Sequence, residues 1–291
     1  MKVANIIMAY KNPAQLERMI KAMNHPSFYV FIHVDKKIDI APFLYLAKLE
    51  RVNFINDRRL CNWGGFSFVK AIFASLEEVI NAPVSYDFYN LMSGQDYPIK
   101  PMNEIAAFFE QSIGKSFISY DPDDKKDWWS HAVIRYQHYH FTDLTFKGKY
   151  FLQRIINSIA PKRKFPLAIK LYGSSISSWW AISKECAEYS IEFMKKSPKL
   201  TNFMKYTWAA DEFLVATILM NSPYKTQIIN NNLRYITWSD SSAHPLILEL
   251  KDLPGILKSD KLFARKFDTE VDGDILDSLD QKLFHSNNSK Y

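Results

Sequence analysis

Through its first 120 residues the chain alternates short β-prone apolar runs with stretches of helical periodicity, an order that few architectures accommodate. Val3 to Ala9 reads as a buried strand. Asn12 supplies a helix N-cap, Pro13 takes the first helical position, and Gln15 stands three residues after the cap. Leu16, Met19, Ile20 and Met23 follow at helical spacing. Phe28 to Val34, β-branched and aromatic, is a second strand that stops at Asp35, and Val52 to Ile55 is a third. Phe66, Val69, Phe73, Leu76 and Ile80 mark a second helix. Asp87 to Met92 is a fourth strand, Glu104 to Gln111 a helix, and Ser116 to Tyr120 a fifth strand. This alternation predicts an α/β fold with a mainly parallel central sheet flanked by helices.

Residues 121 to 170 change character, with few aliphatics, many charges and the clusters Trp128-Trp129 and Tyr136 to Phe141. They read as a long insertion or substrate loop rather than a second domain. From Tyr172 the alternation resumes: a strand around Trp179 to Ile182, helices over Lys184 to Met194 and Asp211 to Met220, and a strand over Leu233 to Trp238. A terminal helix follows residue 273. The chain is thus expected to be one domain over residues 1–291, with an insertion at about 121–170.

Composition removes several functions. Only 8 glycines occur, where an average usage of about 7% predicts about twenty. No G-x-G-x-x-G is present, and Gly114-Lys115-Ser116 lacks the earlier glycine of a P-loop, because Phe109 stands there. Two cysteines, Cys61 and Cys186, make neither a disulfide framework nor a cysteine zinc site. No run of 18 apolar residues crosses a membrane, and the N-terminal apolar run is too short for a signal segment. A cytoplasmic location, with a peripheral seat at the inner membrane face as its variant, is the expectation. A net charge of +6 suits an anionic substrate, an anionic membrane or nucleic acid. Nucleic acid is disfavoured, because the cations are scattered and Lys162-Arg163-Lys164 is the only triple run.

In an open α/β sheet, ligands bind outside the carboxyl ends of the strands. Asp35, Asp96 and Asp121 fall at such ends, where each is either a nucleotide contact or a cap or turn residue. His138 and His140, two apart, lack a third metal ligand at recognisable spacing. Asp121-Pro-Asp123 and Asp272-Gly-Asp274 spell Asp-x-Asp but read as solvated turns. Asp211 and Glu212 would lie in the first turn of a helix, favoured there by the macrodipole. Between Trp208 and Phe213, Glu212 could also be desolvated toward a useful general base. Arg265 and Lys266 sit adjacent, so both meet one phosphate only where the backbone is irregular.

Taken together, ordered segments resemble the branching β-1,6-N-acetylglucosaminyltransferases of core-2/I type and their relatives, the peptide O-xylosyltransferases. They are Phe31-Ile-His-Val-Asp-Lys36, Asn62-Trp-Gly-Gly-Phe-Ser67, Tyr89-Asn-Leu-Met-Ser-Gly-Gln-Asp-Tyr-Pro-Ile-Lys100 and Gly173-Ser174. Trp179-Trp180, Ala210-Asp-Glu212, Asn230-Asn-Asn-Leu-Arg-Tyr-Ile-Thr-Trp238 and Leu262-Phe-Ala-Arg-Lys-Phe-Asp268 complete the set.

The resemblance implies a GT-A type, Rossmann-like glycosyltransferase fold and an inverting reaction that needs no metal or other cofactor. It implies a UDP-sugar donor, with GlcNAc the first expectation and xylose the second, and a glycan or lipid-linked glycan acceptor in surface polysaccharide synthesis. It gives Glu212 the role of catalytic base and Arg265 and Lys266 the donor diphosphate. Asp35 and Trp63 match positions around the uridine, and Met8, Ala9 and Tyr10 are expected in the same pocket, with Asp96 on the donor side. In the branching enzymes the second cation comes from further upstream, but the stretch around Ala243-His244-Pro245 holds no arginine. The xylosyltransferases carry an aspartate before the tryptophan matching Trp179, and this chain has Ser178 there. That departure argues for a sugar acceptor rather than a protein serine. Trp179 and Trp180 are expected on the acceptor side, and Trp128, Trp129, Tyr136 and Tyr139 of the insertion either offer stacking faces to the acceptor or pack the insertion onto the core.

Overall fold

The computed structural model describes residues 1–238 and 245–285, so Ala243 and His244 lie outside the described residues. Among the described residues the strands are, in chain order, β1 (Val3–Ala9), β2 (Phe28–Val34), β3 (Val52–Phe54), β4 (Phe88–Ser93), β5 (Asp96–Pro98), β6 (Ser116–Phe117), β7 (Asp121–Pro122), β8 (Tyr172–Gly173), β9 (Ala181–Ser183), β10 (Ile228–Ile229), β11 (Arg234–Ile236) and β12 (Phe263–Arg265). A seven-stranded sheet runs β10-β6-β9-β4-β1-β2-β3. It is parallel except around β9, which runs against both β4 and β6. The expected mainly parallel α/β sheet is therefore the architecture found.

The central strand β1 shows why the order holds. Val3, Ile7 and Ala9 join one apolar layer, with Leu16 and Met19 of the helix Pro13–Ala22 and Leu276 and Leu279 of the terminal helix Asp274–His285. Ala4, Ile6 and Met8 point the other way, into a layer with Ile72 and Leu76 of the helix Phe66–Ile80 and Cys186 of the helix Lys184–Lys196. Burial on both faces is what a parallel strand between helices requires.

The first helix is capped as its residues dictate, the Asn12 side chain accepting from the Gln15 amide at 3.0 Å. The Gln15 side chain does not close a capping box. It reaches residues 267–269, its Oε1 accepting from the Thr269 amide at 2.8 Å and its Nε2 donating to the Phe267 carbonyl at 3.1 Å.

Several expected boundaries shift. The strand anticipated to Tyr120 ends at Phe117, and the one anticipated from Trp179 begins at Ala181. The segment Leu233 to Trp238 contributes only β11, to a separate sheet ordered β11-β12-β5. The helix anticipated from Asp211 starts at Leu214, preceded by a 3-10 turn over Ala210–Glu212. Ala209 takes φ 48° before that turn, so Asp211 and Glu212 stand outside the α-helix and its dipole does not explain them.

The insertion is not an open loop. It forms helices over Lys126–Ala132, Ile134–Gln137 and Lys149–Ile159. Trp129 and Ala132 bury against Phe66, Val69 and Phe213, which seats the insertion on the main body.

Candidate active site

A cavity of about 500 Å³ opens at the carboxyl ends of β1, β2 and β4, where an open α/β sheet places its ligands. Met8, Ala9, Tyr10, Asp35, Trp63, Trp179, Glu212, Arg265 and Lys266 all line it.

On one side, Asp35 organises the loop that follows β3. Its Oδ1 accepts from the amides of Lys37 at 3.0 Å and Cys61 at 3.2 Å. Lys37 Nζ in turn donates to the Cys61 carbonyl at 2.8 Å. Trp63, 61% exposed, stands at the rim with its ring edge-on to Trp208. The two glycines after it are there for close approach: a Cβ on Gly64 would lie 2.2 Å from Trp208 Nε1, and one on Gly65 would lie 2.3 Å from an Asp143 oxygen. Asp143, from the insertion, accepts from the Ser67 amide at 2.7 Å. It thereby caps the helix Phe66–Ile80, whose own N-cap is a glycine with no side chain to offer.

The cationic wall rests on a buried polar network. The antiparallel register of β5 and β12 sets Asp96 opposite Arg265. Asp96 lies 3.5 Å from both Arg234 and Arg265, and the Asp96 and Arg234 side chains are completely buried. Arg234 also donates to the side chain of Asn90 at 2.7 Å and to the Leu91 carbonyl at 2.6 Å. Asn90 donates to Asn5 on β1 at 2.8 Å. One carboxylate thus faces two guanidinium groups, and the wall keeps a net positive charge in a poorly solvated place. Burial pulls both arginines below their usual pKa, Arg234 to about 10. Among the described residues Arg265 Nε and Nη1 are buried without hydrogen-bond partners, and its guanidinium lies 4.1 Å over the Trp179 ring.

β12 ends at Arg265, so Lys266 leaves the strand alternation and both side chains reach the cavity. The Arg265–Lys266 peptide bond is cis. Burial and the neighbouring Arg265 and Lys11 hold the Lys266 ammonium below its usual pKa. Gln95 donates to the Phe267 carbonyl at 3.1 Å, and Lys11 pairs with Asp268 at 2.6 Å; these bonds fix the segment to the strand ends.

Across the cavity, Gly173 and Ser174 hold the backbone of Glu212. The Ser174 amide donates to the Glu212 carbonyl at 3.1 Å, and a Cβ on Gly173 would lie 2.6 Å from that oxygen. The Glu212 Oε2 accepts from Arg135, whose guanidinium sits between the rings of Trp128 and Trp208 at 5.0 and 4.6 Å. Desolvation pushes the Glu212 carboxyl up to about 8, with Asp211 adding to the shift and Arg135 opposing it. Asp211, raised by burial as well, accepts from Ser178 Oγ at 2.7 Å. Ser178 adjoins Trp179, so a continuous chain of contacts joins the carboxylates to Arg265.

Four anticipated positions fall elsewhere. Asp96 does not reach the cavity; it is spent on its two arginines. Trp180 is buried in the core beneath β9, with no face to offer a ligand. Trp128 stacks on Arg135, and Tyr136 packs against Phe165 and Phe213. Trp128 and Tyr136 therefore pack and position rather than face the cavity. Asp121 pairs with Lys125, Asp123 accepts from the Leu171 amide, and Asp272 accepts from the Leu250 amide, so neither Asp-x-Asp leaves its carboxylates converging. Among the described residues no group of three His, Cys, Asp or Glu side chains is arranged to hold a metal.

Sequence reading missed Arg135, Asp211 as a cavity residue, Gln95 and Asp143. Nothing local marks Arg135, since its partner lies 77 positions away.

The family model of the Core-2/I-Branching enzyme matches residues 3–254. Rat xylosyltransferase 2 (Rattus norvegicus) is 25% identical over 94% of this chain and 32% of its own length. Xylosyltransferase 1 of the same species is 25% identical over 93% of this chain and 34% of its own. The chain thus spans about a third of the length of these relatives. Among solved structures, the apo form of mouse xyloside xylosyltransferase 1 aligns over 90% of this chain and 97% of that one, with a TM-score of 0.42 and 10% identity, a loose similarity.

Proposed function

This chain belongs to the Core-2/I-branching enzyme family, and we propose that it is an inverting, metal-independent glycosyltransferase that moves a sugar from a UDP-sugar to a glycan hydroxyl. The observation that carries the reading is that Glu212, Arg265 and Lys266 all line a single cavity.

Departure of a nucleoside diphosphate builds negative charge on its phosphate oxygens. Arg265, whose buried Nη1 has no hydrogen-bond partner among the described residues, and Lys266 meet that charge without reorganisation. Glu212 takes the proton of the acceptor hydroxyl as its oxygen attacks the anomeric carbon. The carbon–phosphate-oxygen bond breaks on the opposite face, so the anomeric centre inverts. A carboxyl pushed up to about 8 is a stronger base than an ordinary glutamate and sits close to working pH. The uridine would rest among Asp35, Trp63 and the end of β1, and Trp179, already under Arg265, would meet the acceptor sugar with its free edge.

Two donors fit this reading. UDP-GlcNAc suits the branching enzymes of the family, while the names of the relatives favour UDP-xylose. Ser178, hydrogen-bonded to Asp211, supports a glycan acceptor in either case. Donor hydrolysis over a panel of nucleotide sugars, with and without excess EDTA, tests the proposal. Turnover of one UDP-sugar that survives EDTA is expected; hydrolysis that EDTA abolishes overturns metal independence, and no turnover of any UDP-sugar overturns the donor assignment.

A further inference from the structure

The helix Lys149–Ile159 is mounted with its polar side inward. Gln153 Oε1 accepts from the Phe141 amide at 2.7 Å, and the Asn157 side chain accepts from the Tyr139 amide and donates to the Tyr139 carbonyl, both at 2.8 Å. By helical periodicity Phe151, Leu152, Ile155 and Ile159 share the opposite face. All four are exposed, Phe151 by 62% and Ile159 by 78%, and no residue of the helix is buried. A globular surface helix does the reverse, and a contiguous outward apolar face marks an interaction site.

Charge identifies the occupant. From Leu144 to Lys164 the chain holds six lysines and arginines and no aspartate or glutamate. Arg163 is buried and donates to backbone carbonyls, and Lys149 is tied to the carbonyls of Thr142 and Leu144. Lys147, Arg154, Lys162 and Lys164 are exposed within and beside the helix, and the Arg154 guanidinium lies 5.8 Å from the Phe151 ring. An exposed apolar face on a stretch that carries cations and no acid matches a surface that is hydrocarbon below and anionic above. At 11 residues the helix is too short to span, and among the described residues no helix is long and apolar enough to cross a membrane.

We propose that helix 149–159 lies in the interface of an anionic lipid bilayer, with Phe151, Leu152, Ile155 and Ile159 sunk among the acyl chains and Lys147, Arg154, Lys162 and Lys164 on the headgroup phosphates. This surface goes beyond the transfer reaction and stands without it. Because residues 139–141 hold the helix, docking also seats the insertion that carries Arg135 against the bilayer.

Co-sedimentation of the full chain with phosphatidylcholine vesicles, alone or mixed with phosphatidylglycerol, tests the proposal at low and high salt. Binding at least about tenfold tighter to the anionic vesicles is expected, weakening with salt. Ile155→Glu with Ile159→Glu should abolish it, and Lys162→Gln and Lys164→Gln should each weaken it about fivefold. UDP calorimetry on the same variants reports that they remain folded. Equal binding to both vesicle types, or to neither, overturns the proposal. So does a dimer in sedimentation velocity that the isoleucine variant dissolves while vesicle binding persists, because the face then belongs to a second copy of this chain.

Discussion

Arg135 donates to Glu212 across 77 residues of sequence, and two tryptophan rings hold its guanidinium in place to do so. The cavity's carboxylate is thereby oriented through one oxygen, Oε2, while Oε1 has no hydrogen-bond partner among the described residues. A base that must receive a proton from an acceptor needs such a free oxygen.

Replacing Glu212 with glutamine keeps the shape and removes the base. Transfer is expected to fall about 10²- to 10⁴-fold, the usual worth of a general base. Calorimetric affinity for UDP should stay within about twofold, because the cations that meet the diphosphate are untouched. A variant with near-normal turnover would refute the assignment.

The same carboxyl sets the pH behaviour. The attacking form is the deprotonated one, so kcat/KM should rise with pH and level off above about 8. Arg135 stabilises the charged form, so Arg135→Gln should move this limb to higher pH; a profile that stays put would mean the pair does not tune the base.

Stability follows with the opposite sense. The folded-state pKa of Glu212 lies above its unfolded value, so the folded state binds the proton more tightly. That contribution is complete below the unfolded pKa and is lost as pH rises through about 8. In thermal melts without ligand, Glu212→Gln should therefore raise Tm at pH 9 relative to the parent chain, by more than it does near pH 5.

Asp96 makes a different prediction from the one its position in sequence suggests. Its carboxylate lies 3.5 Å from both buried arginines. Asp96→Asn leaves both unpaired and is expected to cost about 3–5 kcal/mol, read from denaturant unfolding. Lys266→Ala should instead weaken UDP binding with little change in the unfolding midpoint.

Much of this was legible in the residues. The continuous apolar run Val3 to Ala9, and the Asn12-Pro13 start, fix the central strand and first helix because each signal is local. The strand ends then follow from topology, which is why Asp35 and Tyr10 could be placed; Glu212 came instead with the resemblance carried by Ala210-Asp-Glu212. What escaped depends on contacts between distant segments. Asp96 looks like any strand-end aspartate until β12 pairs beside it, and Trp128 looks like a ligand platform until Arg135 lies on it. The 3-10 turn at Ala210–Glu212 replaced an expected helical turn because Gly173 and Ser174 capture the Glu212 carbonyl, and nothing near Glu212 announces them.

Gly173 offers the sharpest test of that capture. An added Cβ would meet the Glu212 carbonyl oxygen at 2.6 Å and the Phe213 Cβ at 2.5 Å, and neither neighbour is the flexible end of a side chain. Gly173→Ala must therefore push the 210–213 turn away from β8, carrying the carboxylate with it. A displacement near 1 Å at a reacting group can cost about 10²-fold in rate. The loss should appear in kcat for transfer, while UDP affinity holds, because Arg265 and Lys266 are anchored through β12, Gln95 and Lys11 instead. If UDP affinity fell as far as kcat, the two walls of the cavity would be coupled through Trp179, and the separation of base and cations argued here would be wrong.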